Sequence, residues 1–266
     1  MSEIVIEMDD LIVRAGHRTL LQIERLRIPA GTVAGLVGPN GAGKTTFLRA
    51  CLGLAASARG DIKIFGEPVS TRRGDALLSL RRRMGYVPQL LPIRSELPLT
   101  VREVIAIGRT ARAGLFHRLS REDWKMVDTW MDRLGLSALA ESAYGEISGG
   151  EQRKTVIARA MVQEPELLLL DEPTVNLDLG WRECIVELIQ GLYLQAGLSV
   201  VLVCHELEVL PPACRQVILL EDGRISASGE PETIFTSQRV SALYGVNLHA
   251  VHRGGRHGVL PGEAYD

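Results

Sequence analysis

The chain has 266 residues, of which 46% are apolar, so it can bury a large core in one domain with a subdomain. Its formal net charge of −2 provides no whole-chain electrostatic basis for binding nucleic acid or an acidic membrane surface. A bilayer span needs roughly 20 apolar residues, but the runs Leu167–Leu170 and Leu198–Cys204 stop at Asp171 and His205. We therefore expect a soluble chain and no nucleic-acid partner.

The N-terminus and the cysteines both favour a cytoplasmic protein. The chain starts with Glu3, Glu7, Asp9 and Asp10, whereas a signal peptide has a basic start and an apolar run. The four cysteines lie far apart and form no C-x-x-C pair, so we expect reduced thiols.

The first thirty residues have a β-like pattern and lead into a glycine-rich loop. Before that loop, Val33–Val37 shows little alternation, as in a strand covered on both faces of a parallel sheet. After the loop, the apolar residues from Phe47 to Leu52 have helical spacing. This order of strand, glycine loop and helix is what a phosphate loop requires. The loop residues are Gly38, Pro39, Asn40, Gly41, Ala42, Gly43, Lys44 and Thr45.

The loop predicts a site for ATP and Mg²⁺. Its glycines let backbone N–H groups approach the phosphates, and the following helix offers its positive end. Lys44 would reach the β and γ phosphates, and Thr45 would supply a hydroxyl to Mg²⁺. The alternative is a glycine turn without a ligand, which the strand and helix context disfavours.

The middle of the chain changes from strand-like to helical patterns. Thr100–Glu103 predicts a capping box that opens one helix, and Ser120–Asp123 begins another, which Gly135 is placed to end. We predict a helical subdomain over residues 90–160, inserted into a nucleotide-binding core of residues 1–89 and 161–236.

Two further apolar strands end in polar clusters. Leu167–Leu170 leads to Asp171 and Glu172, and Val200–Val203 is followed by His205. Ligands in open α/β sheets bind at the carboxyl ends of the strands, so these clusters and the phosphate loop should share one sheet edge.

Each polar residue at this edge has a candidate role. Asp171 would complete the metal's protein ligands, directly or through water. Glu172, on the other side of an extended chain from Asp171, would orient and polarise the attacking water. Gln89 would bind that water or Mg²⁺, and His205 would donate to the γ phosphate. The alternatives are an acidic loop start, a surface glutamine and a structural histidine.

A second anion site is predicted at Ser148, Gly149 and Gly150. These residues precede a helical stretch from Gln152 to Met161, so they form another helix N-terminus. Because Lys44 already marks one such site, the second makes sense if it serves the ATP of a facing copy. Hydrolysis would then require two subunits.

The last part of the chain has the weakest pattern. From about Ser237 onward, glycines and a proline predict an irregular tail over residues 237–266. Its histidines, His249, His252 and His257, suggest a metal sensor, but their spacing matches no standard closed zinc site.

Together these motifs resemble those of the ATP-binding subunits of ABC transporters, from about Ile4 to Phe235. The resemblance implies an α/β fold: a RecA-like P-loop NTPase core with a parallel sheet, an N-terminal antiparallel β subdomain and an inserted helical subdomain. It also implies ATP hydrolysis that powers transport. For ATP binding, the resemblance implies the phosphate loop from Gly38 to Thr46, the signature Ser148 to Gly150 and the D-loop Asp178. For catalysis and metal binding, it implies Gln89, the metal ligand Asp171, the catalytic Glu172 and the switch His205.

The resemblance also implies partners and a location. The family's subunits form a homodimer at the cytoplasmic face of the cell membrane and drive a separate permease, with an extracytoplasmic solute-binding protein as an indirect partner. The loop after Gln89 would pass motion to the permease. Arg83–Gln89 and Leu97–Arg109 look most like zinc and manganese importers, and Leu243–Val246 is similar to importers of siderophores, haem and cobalamin. We therefore expect import of a transition metal or its chelate.

Two other functions stay open. A soluble cassette ATPase acting on nucleic acid or ribosomes commonly carries two cassettes or a coiled-coil insertion, and neither is visible in the sequence. An exporter subunit is disfavoured because exporter cassettes are often fused to their membrane helices.

The chain departs from the family pattern at two informative positions. Ala15 stands where an aromatic residue usually stacks on adenine. Two alternatives stay open: Arg14 or His17 covers the base instead, or nucleotide selectivity is loose. Glu151 replaces the usual glutamine in the signature, and we expect its carboxylate to turn outward from the helix end.

Overall fold

The computed structural model of the chain describes residues 3–55, 58–69, 74–89, 99–114 and 117–262. The strands are β1 (Ile4–Ala15), β2 (Arg18–Pro29), β3 (Val33–Val37), β4 (Ala58–Ile64), β5 (Glu67–Pro68), β6 (Met84–Val87), β7 (Leu167–Asp171), β8 (Ser199–Cys204), β9 (Cys214–Glu221), β10 (Arg224–Gly229), β11 (Leu248–Arg253) and β12 (Arg256–Pro261). The helices are α1 (Lys44–Cys51), α2 (Asp75–Arg82), α3 (Val101–Ala113), α4 (Arg121–Arg133), α5 (Gly149–Met161), α6 (Leu179–Ala196), α7 (Pro231–Ile234) and α8 (Ser237–Tyr244). Two short 3₁₀ turns lie at Ser137–Leu139 and Leu207–Val209.

Ten of these strands form one mixed sheet in the order β5-β4-β1-β2-β10-β9-β3-β8-β7-β6. The strands from β9 to β6 are parallel neighbours, and β1 pairs antiparallel with both β2 and β4. The predicted fold class, a P-loop NTPase core with an N-terminal antiparallel region, is therefore confirmed.

The three strands that carry the polar motifs are adjacent. In β3, β7 and β8 every residue is buried, which explains why their sequences do not alternate. Val37 at the end of β3 pairs with Cys204, and Asp171 at the end of β7 pairs with Val203. The expectation that the motifs share one sheet edge is confirmed.

Helices α3, α4 and α5, which lie between β6 and β7 in the sequence, pack against one another. Both predicted capping boxes are present, at Thr100 with Glu103 and at Ser120 with Asp123. Gly135 follows α4 with φ of 67°, as a helix-ending glycine should. Helix α5 begins at Gly149, earlier than the predicted Gln152, so the glycines of the signature belong to its first turn.

The prediction of an irregular tail is wrong for residues 237–262. This part contains helix α8 and the antiparallel hairpin of β11 and β12. Its strands lack strong apolar alternation because nearly all of their residues are exposed or half-buried. Contacts with residues distant in sequence hold it, and such contacts leave no local signal.

One predicted element, the loop after Gln89 that we expect to pass motion to the permease, lies outside the described residues at positions 90–98. Among the helices that the structure describes, none is both long and apolar enough to cross a membrane.

Candidate functional site

A cavity of about 630 Å³ opens where β3, β7 and β8 end. Its wall includes most of the phosphate loop, together with three residues that the sequence singled out at other places in the chain. The cavity is lined by Asn40, Gly41, Gly43, Lys44, Thr45, Thr46, Gln89, Glu172, Thr174, Val175, Asn176, Arg182, Cys204, His205, Glu206 and Val209.

The phosphate loop is shaped by close backbone approaches. A side chain on Gly38 would collide with the carbonyl oxygen of Leu220, and Gly43 has φ of 104° at the start of α1. No side chain caps α1, so its first N–H groups face the cavity without a side-chain acceptor. This arrangement fits a phosphate group.

Lys44 is bound to its own loop and to the predicted catalytic acid. Its ammonium group donates to the carbonyl oxygens of Gly38 at 2.8 Å and Pro39 at 3.0 Å. It also lies 3.3 Å from Oε1 of Glu172, and both side chains are almost fully buried. The phosphates of a nucleotide would offer this cation a stronger counter-charge than the one carboxylate that now faces it.

Asp171 and Thr45 form the donor set for a divalent cation. The Thr45 hydroxyl donates to Oδ1 of Asp171 at 3.3 Å, and the Tyr86 hydroxyl donates to Oδ2 at 3.4 Å. Burial raises the pKa of Asp171, and the neighbouring Glu172 carboxylate adds to the rise. A hard cation such as Mg²⁺ would relieve this unfavourable buried charge, so these residues fit it.

Glu172 adopts a conformation that the sequence did not predict. We expected an extended chain here, but Glu172 has φ of 46°, in the left-handed region, and its N–H donates to Val203. Left-handed backbone at a residue other than glycine is uncommon and clusters at functional sites. The bend brings the Glu172 carboxylate to Lys44, and Gln89 Nε2 donates to its Oε2 at 3.0 Å.

His205 faces Glu172 from the end of β8. Its Nδ1 lies 3.6 Å from Oε1 of Glu172, and its Nε2 lies 3.5 Å from Oε1 of Glu206. Nδ1 is buried and has no hydrogen-bond partner among the described residues. Lys44, Gln89 and His205 therefore surround one carboxylate, at distances that leave room for rearrangement around a ligand.

The signature residues do not line this cavity. Ser148 and Gly149 are exposed, and Ser148 forms a capping box in which Oε2 of Glu151 accepts from its N–H at 2.8 Å and its hydroxyl at 2.7 Å. The expectation that Glu151 turns outward is therefore wrong: its carboxylate folds over the helix end. These hydrogen bonds lower the pKa of Glu151, so it is charged at neutral pH.

Asp178 also lies outside the cavity wall. Its carboxylate accepts from the N–H of Trp181 at 2.9 Å and caps helix α6. In one chain it therefore acts as a helix cap rather than as a nucleotide ligand.

Sequence reasoning missed three residues that shape the site. Tyr86 binds Asp171, and Arg182 donates to Glu206 at 2.6 Å. Arg153 is buried and donates to the carbonyl oxygens of Pro88 and Gln89, both at 2.9 Å, which fixes the backbone that carries the Gln89 side chain. Their proximity to the motifs in the sequence could have indicated two of these residues. Tyr86 lies shortly before Gln89, and Arg153 lies in the helix that begins at the signature.

A smaller cavity of about 280 Å³ lies on the other side of the phosphate loop. Arg18, Thr19 and Leu20 of β2 line it together with loop residues. Arg14 and His17, the two candidates to cover the base, are exposed and do not belong to this wall. Arg18, which pairs with Ala15 across the hairpin, lines this cavity instead.

The chain matches a family of known proteins over most of the site residues described above. The family model described as "ABC transporter" matches residues 21–175, more than half of the chain. The manganese transport system ATP-binding protein MntB of Bacillus subtilis is 31% identical over 91% of this chain and 93% of its own length. The Nod factor export ATP-binding protein I of Paraburkholderia xenovorans is 35% identical over 90% of this chain and 75% of its own.

A solved structure supports the same fold. An ATP-binding cassette of an ABC transporter in its ADP conformation superposes with a TM-score of 0.78 at 20% identity, over 91% of this chain and 98% of that one. The chain therefore belongs to the ABC transporter family, as an ATP-binding subunit that hydrolyses ATP.

Proposed function

We propose that two copies of this chain close around two Mg²⁺–ATP, each bound by the phosphate loop of one copy and by Ser148–Gly150 of the other. One observation carries the proposal: Ser148 and Gly149 form an exposed helix N-terminus outside the wall of the chain's own phosphate cavity. A facing copy gives this second anion site a ligand.

The residues of one cavity divide the work of hydrolysis. Lys44 and the N–H groups of α1 bind the phosphates, and Thr45 and Asp171 would hold Mg²⁺, which would neutralise phosphate charge. Glu172 accepts the proton of the attacking water, and Gln89 orients that water from the opposite side of the carboxylate. His205 donates a hydrogen bond to the γ phosphate. The contacts of Lys44, Gln89 and His205 with Glu172 support these roles.

We further propose that the subunit powers import of a transition metal or its chelate through a separate permease at the cytoplasmic face of the membrane. The similarity to a manganese transport subunit and the importer-like stretch from Gln89 to Arg109 support this cargo. An extracytoplasmic binding protein would deliver the solute. Export is the second candidate, because one relative belongs to a Nod factor export system.

Mixed dimers test the shared site. Lys44→Ala and Ser148→Arg chains are each expected to be inactive, because each homodimer carries the defect at both of its sites. In the mixed dimer one site carries both defects and the other is intact, so partial ATP hydrolysis should return. A mixed dimer that forms but binds ATP at neither site would contradict the shared arrangement.

Metal content tests the cargo. Under metal scarcity, a deletion strain should contain less zinc, manganese or iron, and Glu172→Gln should reproduce the loss because transport needs complete cycles. Normal metal content together with loss of another solute would contradict the cargo proposal and leave the ATPase intact.

A further inference from the structure

The C-terminal segment, which we define as residues 237–262, is fastened to the protein around the switch histidine. The N–H of Val259 in β12 donates to Oε1 of Glu208 at 3.1 Å, in the turn that follows His205. Arg256 binds both carboxylate oxygens of Glu183 in α6 at 2.6 and 2.7 Å. The segment therefore contacts two elements that border the ATP cavity.

Tyr244, at the end of α8, makes the most direct of these contacts. Its hydroxyl donates to the carbonyl oxygen of His205 at 2.6 Å. Burial raises the pKa of Tyr244, so its hydroxyl stays protonated and remains a donor at physiological pH. Gly245, with φ of 71°, ends the helix directly after it.

Helix α8 is itself held in place by the hairpin. The Ser241 hydroxyl donates to the carbonyl oxygen of Leu248 at 3.0 Å and accepts from its N–H at 2.9 Å. Ser237 accepts from the N–H of Ala250 at 3.1 Å. Val240 and Leu243 are buried in the main core. Because α8 is held in this way, the Tyr244 hydroxyl has a defined position from which it donates to the His205 carbonyl oxygen.

The His205 side chain depends on such support. Its buried Nδ1 has no hydrogen-bond partner among the described residues, so no side-chain hydrogen bond to that atom sets the direction of the ring. The next residue, Glu206, is held by Arg182 at 2.6 Å. The Tyr244 hydroxyl therefore holds the carbonyl oxygen of His205, and Arg182 holds the side chain of the next residue.

We propose that Tyr244 is a positioning residue for ATP hydrolysis and that the C-terminal segment holds His205 toward the γ phosphate. The inference rests on the proposed role of His205. It links the segment, which includes the importer-like stretch Leu243–Val246, to the chemical step.

Tyr244→Phe tests this proposal because it removes one hydroxyl and keeps the ring. In the full chain, kcat for ATP hydrolysis should fall about fivefold, the effect of one lost hydrogen bond. The KM for ATP should stay within about twofold, because binding depends on Lys44 and the phosphate loop. Tyr193→Phe is the matched control: the Tyr193 hydroxyl also donates to a backbone carbonyl, that of Gly31, at 3.0 Å and away from the cavity.

Three outcomes distinguish support for the proposal from its two possible failures. If Tyr244→Phe and Tyr193→Phe lower Tm equally but only Tyr244→Phe lowers kcat, the positioning role is supported. If Tyr244→Phe keeps normal kcat while His205→Ala is inactive, the inference is overturned and the proposed function stands. If His205→Ala itself keeps normal turnover, the proposed role of His205 falls and the inference falls with it.

The double variant distinguishes positioning from a general structural effect. In single-turnover assays of His205→Ala, adding Tyr244→Phe should cause no further loss, because the ring that Tyr244 positions is gone. A further fivefold loss in that background would show that Tyr244 acts elsewhere and would overturn the proposal.

Discussion

Gly150 lies directly beneath the indole ring of Trp181. A side chain at Gly150 would overlap the ring atoms of Trp181, so the signature helix α5 and helix α6 meet at this contact with no room for a Cβ. Lys154 also lies over the indole, 5.4 Å from the ring centroid. The second signature glycine is therefore required by packing within one chain, in addition to any role toward a nucleotide. Trp181 had no role in the sequence-based prediction.

Gly150→Ala should destabilise the fold, because Trp181 must move. We expect a loss of about 1–3 kcal/mol in the free energy of unfolding, the usual cost of overpacking. Gly149→Ala is the control, since its Cβ would meet only Leu177 at 3.5 Å, an ordinary contact. Chemical denaturation measures both, and Trp181→Ala should recover part of the Gly150→Ala loss. Equal effects of the two alanine variants would contradict this packing.

Lys44→Ala and Glu172→Gln should separate binding from chemistry. Lys44→Ala should weaken ATP binding, because it removes the cation at the phosphates. Glu172→Gln should bind ATP normally and lose about a hundredfold or more in kcat, as expected for a general base. Light scattering should show Glu172→Gln as an ATP-dependent dimer. Near-normal turnover of Glu172→Gln would show that the base is another residue.

Asp171→Asn should stabilise the Mg²⁺-free protein at neutral pH. The pKa of Asp171 is raised above its ordinary value of 3.8 by burial, so the folded state binds this proton more tightly than the unfolded state does. As the pH rises from 3.8 through the raised pKa, the wild type must bury a charge and loses stability, whereas the asparagine variant does not.

Thermal unfolding in the presence of a chelator measures this difference, with the exposed Asp61→Asn as control. The advantage of Asp171→Asn should grow with pH through that window and shrink when Mg²⁺ and ATP are added. A variant that is less stable than the wild type at neutral pH would show that the contacts with Thr45 and Tyr86 outweigh the cost of burial.

Glu151→Gln should favour the ATP-bound dimer. The Glu151 carboxylate is charged and folds over the helix end that we assign to the partner's phosphates, so it repels them. A glutamine keeps an acceptor for the Ser148 N–H and removes the charge, a change of about 0.3–1 kcal/mol at a helix N-terminus. ATP titrations of dimerisation in the Glu172→Gln background measure this change.

Glu103→Gln is the matched control for Glu151→Gln, because Glu103 forms the same capping box with Thr100 at the start of α3. Its dimerisation should follow that of the parent. If Glu151→Gln weakens the dimer instead, the carboxylate supports the closed state by holding Ser148 in place.

Ala15→Tyr should tighten ATP binding by about 1 kcal/mol, the lower range for a base stacked on an aromatic ring. GTP should gain similarly, since stacking discriminates little between purines. Arg18→Ala should remove part of the affinity of the parent for both, because Arg18 lines the cavity beside the phosphate loop. If neither Ala15→Tyr nor Arg18→Ala changes the affinity for ATP or GTP, the base binds away from both residues.

The sequence by itself determined the core of the fold and indicated that the phosphate loop, Gln89, Glu172 and His205 share one cavity, although it did not indicate Arg182. The runs Val33–Val37, Leu167–Leu170 and Val200–Val203 are apolar throughout because both faces of a parallel sheet are covered. Once those strands are parallel and adjacent, the chain direction brings their polar ends to one edge. The helix caps at Thr100 and Ser120 were equally predictable, because a capping box is complete within four residues. The same pattern at Ser148 and Glu151 was not recognised.

Only the tertiary structure decided the conformations and contacts that depend on residues far apart in the chain. Glu172 bends into the left-handed region while its N–H pairs with Val203, so its direction could not be derived from Asp171 alone. The hydroxyl of Tyr244 and the carbonyl of His205 meet although 39 residues separate them, and Gly150 meets Trp181 in another helix. Packing between distant segments sets such contacts, and the local periodicity of a sequence carries no trace of them.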